Sequence, residues 1–283
     1  MKRKKEITKF LTLLLLFSLS ACFDPEEGCL DVEANNFELA ADIDCSGDAE
    51  TSCVCTYPSI SLQIDQVFDK INFGTNQVYQ TSTGEFIRIT DIQFYISDIQ
   101  LVLADGQVSA TLDTITLTIN EGDQVRNNIS LDDFHLITSG SQQISTLITS
   151  DMSGTFSQLQ FSVGIKTPES TTNPTLLNNN SHVLAIDSMY LEEEGYIFNR
   201  LSIQPDTSST DNLLIQLTQN EGLPRIILDL TDVSKLPGRD ISIETLQINH
   251  AKWFDGINFA DDTQDEVRRK IVTNTTNVFS ILP

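Results

Sequence analysis

Phe86-Ile87-Arg88-Ile89 leads into Ile92-Gln93-Phe94-Tyr95-Ile96-Ser97-Asp98-Ile99-Gln100-Leu101-Val102-Leu103, which ends at the turn signal Asp105-Gly106. Apolar, β-branched and aromatic residues in near alternation, closed by Asp-Gly, read as strand and turn. The same rhythm recurs on both sides. Leu62, Ile64 and Val67-Phe68 precede it, and Leu112, Ile115, Leu117 and Ile119 follow, with threonines between. Phe156, Leu159, Phe161, Val163 and Ile165 alternate again. Further runs cover 196–203, 213–217, 226–230, 241–248 and 278–282. Many short strands separated by turn residues predict an all-β chain folded as an antiparallel β-sandwich. Alternation gives each sheet one wet face and one core face. The clearest helical segment is 261–272, with Asp261 or Asp262 as its cap and Val267 and Ile271 on one face. The stretch 167–188, with Pro168, Pro174 and Asn178 to Asn180, breaks the strand rhythm and reads as a long loop.

The N-terminus carries an address. Lys2, Arg3, Lys4, Lys5 and Lys9 precede an apolar run from Phe10 to Phe17. That run is shorter than the roughly 20 residues a spanning helix needs, so it reads as the core of a signal peptide. It ends at Leu19-Ser20-Ala21-Cys22, which resembles the lipobox of bacterial lipoproteins. The expectation is cleavage after residue 21, lipidation of Cys22 and membrane attachment through that lipid. Asp24-Pro25-Glu26-Glu27 resembles an acidic export signal of Gram-negative lipoproteins, implying an outer-membrane lipoprotein directed to the cell surface. The expected organisation is a signal peptide over 1–21, an acidic tether and cysteine-rich module over 22–58, and a sandwich over 59–283.

Removing residues 1–21 takes away five of 17 basic and one of 40 acidic residues, leaving 12 against 39, a formal charge of −27. Such a surface repels nucleic acid and anionic lipid, so neither is expected as a partner. No second apolar segment is long enough to span a membrane.

Cys29, Cys45, Cys53 and Cys55 cluster within the short module, and no cysteine follows. In an exported chain they read as two disulfides, with Cys53 and Cys55 too close to pair with each other. Each then takes Cys29 or Cys45, and either pairing is open; a four-thiolate zinc site is the alternative. The module begins Gly28-Cys29-Leu30-Asp31, has Ala34-Asn35-Asn36-Phe37 at its centre and resembles a small cysteine module of bacterial surface proteins. So short a segment cannot bury a core and needs covalent staples. Asp31, Glu33, Asp42 and Asp44 offer oxygen ligands for calcium, although their spacing matches no calcium loop, and an acidic solvated spacer is the favoured reading.

Three segments of the main domain resemble the MbnP-like copper-binding family: 92–99, then Phe161-Ser162-Val163-Gly164-Ile165, then Met189-Tyr190-Leu191-Glu192-Glu193-Glu194-Gly195-Tyr196-Ile197-Phe198. Lys252-Trp253-Phe254 and 277–281 fit the ending. The resemblance implies a β-sandwich in the cell envelope and a copper site involving histidine and a modified tryptophan. The chain departs from that pattern where metal is expected: Gln66 and Gln216 stand at histidine positions, and Leu191 stands at the tryptophan. Copper prefers imidazole and soft sulfur to a carboxamide oxygen. Whether Gln66, Leu191 and Gln216 converge is for the fold to answer.

Only His135, His182 and His250 are present, none at ligand spacing from another; His182 and His250 are the weak metal candidates. Met152 and Met189 are isolated. No Gly-x-Ser-x-Gly elbow, His-Glu-x-x-His or phosphate-cradling loop occurs, and Glu192-Glu193-Glu194 reads as a solvated turn, so no enzyme is expected. The expected function is a lipid-anchored binding or interaction protein without the family copper, its protein or small-ligand partner unspecified. The alternative is a copper chaperone or store.

Overall fold

The computed structural model describes residues 25–45, 53–121, 124–166, 169–177, 181–205, 207–208, 211–218, 222 and 224–282. The signal peptide and Cys22 lie outside the described residues. In chain order the strands are β1 (Glu27–Gly28), β2 (Ile43–Asp44), β3 (Ser59–Phe68), β4 (Ile71–Asn72), β5 (Val78–Gln80), β6 (Phe86–Leu103), β7 (Val108–Ser109), β8 (Thr114–Glu121), β9 (Gln124–Leu131) and β10 (His135–Thr138). They continue as β11 (Gln143–Thr149), β12 (Gly154–Val163), β13 (Tyr190–Leu191), β14 (Gly195–Tyr196), β15 (Asn199–Gln204), β16 (Leu213–Leu217), β17 (Arg225–Lys235), β18 (Ile241–Asn249) and β19 (Phe279–Leu282).

Two sheets form the sandwich. One runs β16-β15-β6-β12-β17, with β5, β7 and β10 also pairing with β6; the other runs β11-β3-β18-β19, with β4 on β3. The alternation read from sequence places the core between them. Ile60, Leu62 and Ile64 of β3 face Phe94 and Ile96 of β6 and Leu159 and Phe161 of β12 across one apolar cluster. Phe161 and Phe279 meet edge to face at 5.2 Å, and Phe94 meets Trp253 at 5.3 Å in the same way.

Three details differ from the sequence reading. The strand over 86–103 has the extent the alternation suggests, 18 residues, but Asp98 at φ 55 interrupts it. The carboxylate of Asp133 accepts from Ile99 N there, and Arg225 bonds both the backbone oxygen and the carboxylate of Asp98, so paired charges hold the irregularity. β18 pairs with β3 in parallel, within sheets that are otherwise antiparallel. The helix is Gln264–Asn274, capped by Thr263 rather than by Asp261 or Asp262. Thr263 and Glu266 form a reciprocal capping box, while Asp262 is drawn away to Lys270 at 2.6 Å.

Of the stretch 167–188, Pro168 and Asn178 to Asn180 lie outside the described residues, and the described part is no bare loop. Short 3-10 turns within it lie over a second apolar cluster of Tyr95, Leu117, Ile119, Leu184, Met189 and Tyr196. Tyr95 Oη donates to Val183 O and Tyr196 Oη to Leu184 O. Among the described residues, no helix is long and apolar enough to cross a membrane.

In the N-terminal module Cys29 pairs with Cys55 and Cys45 with Cys53. The module is fastened to the sandwich. Glu33 Oε2 lies 3.6 Å from Lys235 Nζ, whose side chain is fully buried, and Ser153 Oγ donates to Glu33 Oε1 at 2.6 Å. Gly238 has φ +62, and a Cβ there would meet Ala34 O at 2.9 Å, so this turn suits only glycine.

Candidate functional site

β18 ends at Asn249, whose side chain accepts from Ala251 N and starts a 3-10 turn over His250–Phe254. The turn buries His250, Trp253 and Phe254 together. Parallel pairing sets Gln66 of β3 opposite Ile248, two residues before His250. Residues 184 apart in sequence thus meet: His250 Nε2 lies 2.8 Å from Gln66 Oε1.

The glutamine is oriented by its other atoms. Gln66 Nε2 donates to Thr138 O and to Ser141 O, each at 2.8 Å. Both acceptors are carbonyls, so the amide nitrogen must face them and Oε1 must face the imidazole. An amide oxygen only accepts, so His250 carries its proton on Nε2 and leaves a lone pair on Nδ1. That Nδ1 is buried and has no hydrogen-bond partner among the described residues. Phe73 stands 4.0 Å from the imidazole, ring centre to ring centre, and Trp253 stands 5.2 Å away. Burial depresses the His250 pKa from 6.5 to about 3, so the ring is neutral across the physiological range.

Gln66 also ties the two sheets, since Thr138 ends β10 of the large sheet while Gln66 belongs to the small one. Replacing Gln66 by leucine would strip two backbone carbonyls and the His250 N–H of their partner at once. We expect a loss of about 3 kcal/mol, on the scale of abandoned buried hydrogen bonds, read as a lower urea midpoint at unchanged slope. An unchanged midpoint would refute this role.

The three positions picked out by the family resemblance do not meet. Thr138, Gln93, Arg200 and Gln216 are lateral neighbours across β10, β6, β15 and β16. Gln216 is therefore three strand spacings, about 14 Å, from Thr138 along the sheet. Its neighbours Ile215 and Leu217 are buried, so Gln216 takes the outer face, on the row of the Arg200–Asp91 ion pair. Leu191 pairs with Gly195 in the β13–β14 hairpin and packs on the second apolar cluster.

The other soft and imidazole donors have structural duties. His182 Nδ1 accepts from Leu184 N at 3.2 Å, so its proton is on Nε2, facing Asp132 Oδ1 at 2.9 Å. His135 Nε2 faces Leu147 O at 3.0 Å, and burial lowers its pKa. Met189 is buried in the second cluster and Met152 packs against the main core. In the module, Asp31 accepts from Glu33 N and Tyr57 Oη, Asp42 from Glu26 N and Asp44 from Leu30 N. The sulfurs of Cys29 and Cys55 lie close to the Asp44 carboxylate but are joined to each other.

Sequence reading singled out Gln66 and His250 separately, but not their meeting, nor the carbonyls of Thr138 and Ser141 that orient them. The family model described as MbnP matches residues 57–273. Among solved structures, the chain is similar to MbnP from Methylosinus trichosporium, at 12% identity and a TM-score of 0.45, covering 74% of this chain and 86% of that one. No curated protein matches the chain significantly.

Proposed function

Since the chain belongs to the MbnP family, its model match spanning residues 57–273, we propose that it is a lipid-anchored binding protein of the cell envelope that uses the family scaffold without copper. The observation that carries this reading is the Gln66–His250 pair. Copper sites gather several imidazole or sulfur donors around one point. Here one imidazole nitrogen is available, and the side chain beside it is a carboxamide whose atoms are all engaged. Leu191 and Gln216 lie elsewhere and offer no soft donor in any case. The donor set does not fit a copper ion.

Anchoring rests on the lipobox-like Leu19-Ser20-Ala21-Cys22. It agrees with disulfides in the module, which form in compartments more oxidising than the cytosol. The acidic residues after Cys22 favour the outer membrane, facing the surface. No catalytic role is proposed; the exposed polar groove beside Gln66 is the feature suited to binding.

A second reading, a copper chaperone or store, has one observation in its favour, the unpartnered Nδ1 of His250. Chain purified from its native envelope separates the two. We expect a triacylated N-terminal peptide at Cys22 by mass spectrometry and copper far below one atom per chain by elemental analysis. One copper per chain, lost on His250→Ala, would establish the second reading; an unmodified Cys22 would remove the anchor.

A further inference from the structure

The Gln66 frame borders an exposed groove of about 400 Å³, within the size range of small-ligand sites. It forms where the partners of β3 change. β11 leaves through the bond from Ile64 N to Gln142 O, and β4 joins through the bond from Phe73 N to Gln66 O. The opening between them is walled by the β3–β4 hairpin on one side and the corner 139–142 on the other.

The lining divides into a fixed frame and a free rim. Gln66 is held by three hydrogen bonds, Ser141 Oγ accepts from Thr138 N, and Asp65 Oδ2 accepts from Gln247 Nε2. Gln63, Asn72 and Gln142 are exposed on the rim, beside Ser139, and none of these four side chains has a hydrogen-bond partner among the described residues. Phe73, braced against His250 at 4.0 Å, supplies the apolar wall. Among the described residues, no lysine, arginine or histidine lines the groove.

This chemistry selects a ligand class. Without a cation in the lining, and in a chain of formal charge −23, an anion gains nothing here. The scarcity of apolar wall disfavours a lipid. A carboxamide donates and accepts at once, as does a hydroxyl, and a carboxylate oxygen accepts from a hydroxyl. Three rim carboxamides, a serine, Asp65 and one aromatic ring complement a compact neutral molecule with hydroxyls around its edge and a C–H face. We propose that this groove binds a neutral sugar unit, presented free or as part of a glycan. The inference deepens the binding role proposed above and rests on it.

The test uses the full mature chain in detergent. It is screened against a panel of immobilised neutral and acidic glycans, and the free neutral hexoses are titrated by calorimetry. Binding of neutral saccharides at micromolar to millimolar dissociation constants is expected, weakened about tenfold or more by Asn72→Ala with Gln142→Ala and unaffected by Glu193→Ala. Thermal midpoints stay level because the substituted side chains are exposed. Binding of immobilised glycans but not free hexoses identifies a chain-borne unit as the ligand; comparable binding of both identifies the single sugar. A preference for acidic glycans, affinity unchanged in the double variant, or no saccharide bound at about 10 mM would overturn the proposal. Copper content, measured on the same sample, reports separately: a copper-free chain that binds no sugar defeats this inference alone, while a copper-loaded chain defeats the proposed function.

Discussion

Glu33→Ala is expected to destabilise the protein by about 3–5 kcal/mol, far more than an acidic surface residue normally contributes. The reason lies in its partner. Lys235 closes β17 with a side chain exposed to 0%, and Glu33 Oε2, 3.6 Å away, is the counter-charge that faces it. Removing the carboxylate leaves an ammonium enclosed without compensation, and Ser153 loses its acceptor as well. Lys235→Met should cost less, since it removes the fully enclosed charge itself and leaves Glu33 with 19% of its side chain exposed and Oε1 still bonded to Ser153. The double variant Glu33→Ala with Lys235→Met should then recover most of the loss. Urea unfolding of the four proteins gives the coupling directly. Equal, small effects of both single changes would show that the module is merely tethered, not clamped.

The second large effect is acid sensitivity from one histidine. His250 is neutral when folded down to about pH 3, whereas the unfolded chain protonates it near 6.5. Between those values the unfolded state binds the extra proton, so stability falls as pH falls, on the order of 5 kcal/mol across the whole window. The contribution is fully present above pH 6.5 and fades toward pH 3. His135, also depressed by burial, acts in the same direction. Asp133 acts in the opposite one: burial raises its pKa, so it loses stability as pH rises through the raised value. Denaturation midpoints at a series of pH values should decline below 6.5 in the native chain and flatten in His250→Gln, which keeps an N–H for Gln66. Parallel curves for the two proteins would contradict the neutral, buried assignment.

How much of this was written in the sequence varies with how local the information is. β6, β12 and β18 were legible because their apolar residues alternate over nine or more positions. β9, β10 and β11 carry no comparable signal. Arg126-Asn127-Asn128 carries too little apolar signal, and β10 has only four residues. The cap at Thr263 was present as Thr-Gln-Asp-Glu, yet the two preceding aspartates, equally good caps by type, obscured it. The parallel pairing of β3 with β18 joins strands some 180 residues apart, and nothing local encodes that choice. The candidate site depends on it entirely. Gln66 and His250 were each visible as chemistry-bearing residues, but only the register brings them into contact. Gln216 shows the converse: a family-like position in sequence faces outward once Ile215 and Leu217 take the core.

The proposal that an amide–imidazole pair stands in place of a metal centre can be tested at the atom concerned. Long-range proton–nitrogen NMR of the histidines reads which ring nitrogen of His250 bears the proton and what happens to the other. The account predicts a proton on Nε2, an unprotonated Nδ1, and no change in either signal when one equivalent of copper(I) is added. A large shift or loss of the Nδ1 signal at one equivalent, with the Nε2 proton retained, would show that this imidazole holds copper and would contradict it.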